Sequence, residues 1–489
     1  MSALKNRAFK RPEYNLTQTM KNEKSAPFPT VPLDLPQRRA FLRQSFATAG
    51  VVTLPAFLAA CGGGGSNGVA FPPIAGAPPA PSPAPAPPAA QPPVEPPVVK
   101  KSPFAEFSEL QPADANGVML PKGFTSRIVA QSGTVAAGSY AWHGSPDGGA
   151  CYATDNGGWI YVSNSEIGSK GGGVGALRFD ANGTVVDSYP ILKSTSSNCA
   201  GGPTPWNTWL SCEEHSSGMV WECDPAKPWV DASSAPSLPA LGLYAHEAVC
   251  VDPVHKTLYL TEDASLGRIY RFVCDASDWP EGAPRAAMKT GRLEVLKIKD
   301  IASDIDLADP AKPYAKDFSQ PLPVEWLDVV NPEKPQAGVR ASMRTAGLTP
   351  PGAGFRKAEG IWFFNGIVYF VTSYNSHIWA YDTQNQTLEA IYDGMNKDPA
   401  THSIDEPDNL TISALGDILV AEDAGNLEIG VLRMESGTSQ PLVRLVGHDD
   451  SEVVGPALSP DGKRLYFSSQ RGTGKGGITF EITLPSAAK

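Results

Sequence analysis

From about Ser102 to Lys489 the chain is built of short apolar runs bounded by turn residues, with no long helical period among them. Trp159-Ile160-Tyr161-Val162, Thr257-Leu258-Tyr259-Leu260, Ile367-Val368-Tyr369-Phe370-Val371, Asp417-Ile418-Leu419-Val420 and Arg464-Leu465-Tyr466-Phe467 are the clearest. Their β-branched and aromatic content and their length suit strands. Several follow tight-turn pairs, Asn365-Gly366, Leu415-Gly416 and Asp461-Gly462, the chemistry of hairpin loops. Hairpins without intervening helices leave a sandwich, a barrel or a propeller. The stretch is too long for one sandwich, and its irregular spacing excludes a strict short repeat such as WD40. The expectation is one all-β domain over 103–489, a β-propeller with long loop insertions.

Carboxylates follow these strands. Trp159–Val162 leads to Asn164 and Glu166, Trp209–Cys212 to Glu213-Glu214, Leu258–Leu260 to Glu262-Asp263, and Ile418–Val420 to Glu422-Asp423. One acidic strand end means little, but four at separated places could converge on a propeller's axis. Crowded, desolvated carboxylates repel, and cations offset that repulsion. With 7 His in 489 residues and no helical His-Glu-x-x-His, a histidine zinc site is poorly supported. Oxygen-rich donors suit hard cations such as calcium or ferric iron.

The N-terminal region reads differently. Gln37-Arg38-Arg39-Ala40-Phe41-Leu42-Arg43 precedes an apolar stretch, Phe46 to Ala60, closed by Leu58-Ala59-Ala60-Cys61. Paired arginines, a short apolar region broken by Pro55 and small residues before a cysteine make residues 1–60 a twin-arginine lipoprotein signal. Cys61 would be the lipidated anchor, facing the periplasm or the cell exterior. Residues 61–102 form a Gly/Pro/Ala-rich linker that favours extended polyproline II and holds the folded part off the membrane. Because this route exports folded protein, the other six cysteines are not assumed to pair.

Net charge is −11, yet residues 1–60 hold nine Lys/Arg against three Asp/Glu, which leaves −17 for the rest. A surface that acidic repels phosphate backbones, so nucleic acid is not an expected partner.

The run Asn198-Cys199-Ala200-Gly201-Gly202-Pro203-Thr204-Pro205-Trp206-Asn207-Thr208-Trp209-Leu210-Ser211-Cys212-Glu213-Glu214 resembles the signature of the PhoX family of twin-arginine-exported alkaline phosphatases. His246-Glu247-Ala248-Val249, Leu260-Thr261-Glu262-Asp263, Tyr270-Arg271-Phe272, Glu359-Gly360, Pro407-Asp408-Asn409-Leu410 with Glu422-Asp423, and Val454-Gly455 to Gln470 follow in the family's order. The resemblance implies a propeller of six blades whose channel holds Fe3+ and Ca2+. It implies that Cys199, Glu213, Glu214, Glu262, Asp263, Glu359 and Asp423 hold the metals, and that a monomeric enzyme hydrolyses small phosphate monoesters. His246 reads as a packed histidine more than a ligand. Trp142, Trp206 and Trp209 read as packing residues, and Cys151, Cys212, Cys223, Cys250 and Cys274 as buried thiols.

One departure bears on activity. The family shows Phe-x-Arg-x-Glu-Gly where this chain has Phe355-Arg356-Lys357-Ala358-Glu359-Gly360. On a strand, Lys357 would share a face with Glu359 and contact the substrate phosphoryl group, but lysine lacks the planar fork that grips two phosphate oxygens. A second arginine, known in some members before the later acidic pair, has no match near Asp405 and Glu406. Two other readings therefore stay open: a calcium-dependent propeller hydrolase of another ester class (lactonase or phosphodiesterase), and a non-catalytic, metal-stabilised binding module of the envelope.

Overall fold

A computed structural model of the chain describes residues 102–485, apart from 302–306, 308–316, 347–351, 396, 397, 399, 449 and 475. The signal segment, Cys61 and the linker up to residue 101 lie outside the described residues. No helix among the described residues is long and apolar enough to cross a membrane.

Two early strands, β1 (Val118–Met119) and β2 (Thr125–Gln131), complete sheets built much later in the chain. Next come an antiparallel sheet of β3 (Pro146–Ala153), β4 (Trp159–Ser165), β5 (Gly172–Phe179) and β6 (Val185–Thr195), and a three-stranded one of β7 (Asn198–Pro203), β8 (Trp209–Glu213) and β9 (Val220–Cys223). A nine-stranded sheet joins β10 (His246–Asp252), β11 (Thr257–Glu262), β12 (Ile269–Cys274) and β13 (Gly291–Ile298) to β15 (Ala358–Phe364), β16 (Ile367–Thr372), β17 (His377–Asp382) and β18 (Thr387–Asp393). The link is β14 (Leu322–Asp328), which lies along β13 and touches β18 through only two residue pairs. The chain then forms β19 (Pro407–Ile412), β20 (Ile418–Glu422), β21 (Glu428–Arg433) and β22 (Thr438–Leu445), whose outer edge takes β1. Finally β23 (Val453–Leu458), β24 (Arg464–Ser469) and β25 (Ile478–Thr483) accept β2, pairing Thr125 with Thr483.

The arrangement is all-β and propeller-like. The first strands of the successive hairpins touch in a closed ring: β3 meets β7, β7 meets β10, β10 meets β15, β15 meets β19, β19 meets β23, and β23 returns to β3. Apolar clusters fill the wedges between neighbours. Val162 and Val174 pack on Trp209, and Leu210 and Val220 on Val249 and Leu258. Tyr259 and Leu296 pack on Phe370 and Trp379, Tyr369 and Val371 on Leu410 and Val420. Leu419 and Leu442 meet Phe467 and Phe480, and Tyr466 closes the circle against Tyr161 and Leu177. Side chains on both faces of the second strands β4, β11, β16 and β20 are thus buried, which is why these apolar runs are continuous rather than alternating.

Two features depart from the sequence expectation. The strands form five sheets rather than six separate blades, because β14 joins the β10–β13 and β15–β18 strands into one. An α-helix, α1 (Gln336–Thr345), lies in the long insertion between β14 and β15. Pro335 introduces it with fixed backbone geometry, and Arg340 fastens it to Glu262 at 2.8 Å. The cysteines expected to be unpaired thiols are free: Cys151, Cys199, Cys212, Cys223, Cys250 and Cys274.

Phe480 is fully buried against Phe467, ring centroids 5.2 Å apart, at the wedge where the last strands meet the β19–β22 sheet. Phe480→Ala should lower unfolding free energy by about 3–5 kcal/mol, measured by denaturant titration; a loss below about 1 kcal/mol would show that this wedge does not hold the ring.

Candidate metal centre

Six hairpins face the axis: β3–β4, β7–β8, β10–β11, β15–β16, β19–β20 and β23–β24. Each has the same irregularity near the start of its first strand, where the register shifts between residues three apart. A bulge re-aims a side chain. The second residue of each first strand is Asp147, Cys199, Glu247, Glu359, Asp408 and Val454 in turn.

A second device repeats as faithfully. The residue just past each second strand donates its N–H to the carbonyl of the residue just before the first strand: Glu166 to Ser145, Glu214 to Ser197, Asp263 to Ala245, Ser373 to Lys357, Asp423 to Glu406 and Gln470 to Glu452, at 2.8–3.1 Å. Ser145, Ser197, Lys357 and Glu406 hold left-handed backbone, φ 42°, 49°, 49° and 42°, a costly conformation for non-glycine residues that these bonds secure.

Small residues let the first strands crowd together. A Cβ on Gly360 would fall 2.6 Å from the Asp408 carbonyl, and one on Gly455, at φ 62°, 2.6 Å from that of Asp147. Below the acids, Gly148, Ala200, Ala248, Gly360, Asn409 and Gly455 narrow the axis to a cavity of about 20 Å³, room for about one water.

Donor atoms of Cys199, Glu214 and Glu247 lie within 4.8 Å of one another, as do those of Glu247, Glu359 and Asp408. The shared Glu247 makes these two adjoining places for a cation. Neighbours orient the donors. Asn164 Nδ2 donates to the Cys199 carbonyl at 2.6 Å while its Oδ1 accepts from Trp209 Nε1 and Ser211 Oγ. Ser373 Oγ donates to Glu359 at 2.8 Å, and Asn409 Nδ2 to Asp408 at 2.9 Å. One Glu247 oxygen, Oε1, is buried without any hydrogen-bond partner, as expected of a ligand atom reserved for an ion.

Electrostatics agree with the donor set. Burial, then the charges of Asp263, Glu359 and Glu166, push the Glu214 carboxyl up to about 9. Burial and Asp263 push Glu359 up to about 8 even though Lys357 opposes them. Burial and neighbouring carboxylates also raise Glu247 and Asp408 well above the usual range. The Cys199 thiol is raised by burial and by Asp147, Glu247, Glu214 and Glu166, so it stays protonated unless a cation is near. Mixed sulfur and oxygen donors on one side and oxygen alone on the other fit a metal centre.

The sequence-expected residues divide. Cys199, Glu214 and Glu359 meet in these groups, with Asp263 and Asp423 beside them. Glu213 and Glu262 point elsewhere, because adjacent residues at a strand end face opposite ways. Glu213 accepts from the backbone N–H of Ser196 and Met219 and from Trp221 Nε1. Glu262 is held by Gln336 and Arg340 of α1. Glu422 accepts from the N–H of Asp405 and Glu428. In each acidic pair the first member braces its blade and the second faces the hub. Lys357 does turn toward Glu359, 3.2 Å away, yet it stands before β15 and a left-handed kink directs it there. Arg356 lies over the Tyr374 ring. His246 is buried on Tyr244, with Nε2 at the Gly242 carbonyl. Trp142 and Trp209 are buried, and half-buried Trp206 packs edge-on against Trp279.

Four acids carried no assigned role in the sequence: Asp147, Glu247, Asp408 and Glu452. Glu452 is buried at the rim beside Arg471. The signal for the first three is a tripeptide, one residue, then Asp, Cys or Glu, then Gly, Ala or Asn. It recurs at roughly fifty-residue intervals, lengthened once by the insertion.

Glu214 and Glu359 have folded pKa values of about 9 and about 8 against an ordinary 4.5. Raised carboxyls contribute stability that is complete below their unfolded pKa and lost as pH rises through the folded value. The thermal midpoint of chelator-treated protein should therefore fall from about pH 4.5 to about pH 9, and metal should restore it; a midpoint that rises over this interval contradicts the buried ring.

The family described as Alkaline phosphatase PhoX matches residues 156–472. Among solved structures, Pseudomonas fluorescens PhoX in complex with vanadate, a transition state analogue, is similar at 15% identity and a TM-score of 0.60, covering 78% of this chain and 98% of that one. A Xanthomonas campestris gluconolactonase follows at 11% identity and a TM-score of 0.38, covering 78% of this chain and 99% of that one. No curated protein sequence matches significantly. The family match spans well over half of the chain and includes every hairpin but the first strand of the first: the chain belongs to the PhoX family of alkaline phosphatases.

Proposed function

We propose that the chain is an exported, metal-dependent phosphatase that hydrolyses phosphate monoesters at the mouth of the hub. The observation that carries this reading is the convergence of Cys199, Glu214, Glu247, Glu359 and Asp408 on two adjoining cation places in a chain of the PhoX family. Cys199 with its oxygen neighbours suits ferric iron, and the Glu247, Glu359 and Asp408 oxygens suit calcium. Asp263 and Asp423 complete the ring, while Glu213 and Glu262 act as braces. We read the domain as six-bladed, with the nine-stranded sheet counted as two blades joined by β14. Residues 1–60 export it by the twin-arginine route, Cys61 anchors it to lipid, residues 61–102 space it from the membrane, and it acts as a monomer.

The small residues of the first strands leave room for about one water, so in this reading the substrate binds at the acidic mouth rather than along the axis. When bound, iron and calcium supply Lewis-acid charge that offsets the phosphoryl group's own charge and the charge developing on the leaving oxygen. The vanadate held by the related Pseudomonas fluorescens protein is consistent with such an anion site here. The chain's contribution is to position. Glu359, fixed by Ser373, and Asp408, fixed by Asn409, keep their oxygens aimed at the axis. Lys357 Nζ, with one N–H committed to Glu359, has others to offer a phosphoryl oxygen. Lysine is a point charge where a guanidinium would grip two oxygens, which favours a less negative ester as the second reading.

Elemental analysis of protein purified without chelators should find iron and calcium, and Asp408→Asn should lower both calcium content and monoester turnover. Lys357→Arg should raise monoester kcat/KM by on the order of 10-fold or more; an unchanged rate would remove Lys357 as a phosphate contact. Side-by-side turnover of a monoester, a diester and a lactone ranks the two readings, and a lactone preferred over both phosphates would overturn the first.

A further inference from the structure

Three carboxylates from three hairpins surround one ammonium group. Lys357 Nζ stands 3.2 Å from Glu359 Oε1, 3.6 Å from Asp423 Oδ2 and 3.9 Å from Asp263 Oδ2. Only the first distance is that of a hydrogen bond; the other two are charge attractions to neighbours on either side. Such a pattern resembles an ion gathering ligands more than a one-to-one salt bridge. The Lys357 backbone is pinned at both ends of its peptide: its N–H donates to the Ala264 carbonyl at 2.9 Å, and its carbonyl accepts from Ser373.

We propose that Lys357 Nζ takes the place of one metal ion in the hub. It serves as a covalently attached cation that joins the third, fourth and fifth hairpins, and it confines bound metals to the Cys199–Glu214–Glu247 and Glu247–Glu359–Asp408 places. Glu359 belongs to the second of these and also to the lysine's set, so the ammonium and a metal share it as a bridge. Removing the charge leaves Asp263 and Asp423 facing Glu359 with nothing between them. Oxygen ligands in that disposition recruit a divalent ion. This inference rests on the metal-dependent reading above.

The test is a metal count on protein saturated with calcium and then dialysed, comparing wild type, Lys357→Met and Lys357→Arg. The methionine variant should hold one calcium per chain more than wild type, and the arginine variant the same number as wild type. Equal counts in wild type and Lys357→Met would overturn the lysine's role while leaving the metal centre standing. Wild type with no bound metal would overturn both. Should Lys357→Met fail to fold, reductive methylation of wild type read by peptide mass spectrometry answers the question. Lys357 should react slowly both with calcium bound and after chelation. Rapid labelling confined to the calcium-bound form would mean that metals displace the lysine from its carboxylates, contradicting the proposal.

Discussion

Mutual repulsion among buried carboxylates is the constraint around which this hub is organised. Asp147, Glu247, Glu359 and Asp408 are each at most 5% exposed, and each stands at the second position of a strand aimed at a common axis. Burial alone penalises such charges by several kcal/mol per ion. Nothing in the apolar wedges requires these residues to be acidic; Val454 holds the equivalent position in the sixth hairpin and is equally buried. A chain that keeps acids there carries a standing electrostatic cost that folding does not need, and cations are what relieve it.

The protein relieves part of that cost with its own groups, and it does so unevenly around the ring. On one side Lys357 sits among Asp263, Glu359 and Asp423. Almost opposite, Gln470 Nε2 donates to both Asp147 and Glu166, at 2.7 and 2.8 Å, and Arg471 pairs with Glu452. Between these two clamps lie Cys199, Glu214, Glu247 and Asp408, none of which forms an ion pair with a cationic side chain among the described residues, although Lys357 acts on Glu214 from a distance. The donors left for metal therefore centre on Glu247, with Glu359 facing both that region and Lys357.

What the sequence disclosed about the fold followed from where burial is two-sided. Every apolar run recognised in it, from Trp159–Val162 to Arg464–Phe467, is the second strand of a hairpin, packed in the wedges between sheets. The first strands open with no such run. Pro146-Asp147-Gly148-Gly149 or Pro407-Asp408-Asn409-Leu410 looks like a loop, because small residues are what six backbones meeting at an axis demand, and β-propensity says nothing about that demand. The acids were legible by type but only half by role. Strand alternation separates Glu213 from Glu214 and Glu262 from Asp263, and it could be applied only once the strand ends were known. Glu247 and Asp408 sat inside recognised motifs without a role, since nothing local marks a bulge. Lys357 reached the hub as expected, although by a left-handed kink rather than by strand periodicity.

The central claim is that cations occupy the axis between these hairpins. Anomalous diffraction from crystals of protein purified without chelators tests it directly. The account predicts one peak among Cys199, Glu214 and Glu247 and another among Glu247, Glu359 and Asp408. A hub without anomalous peaks, its carboxylates joined only to one another, to Lys357 and to water, would contradict it.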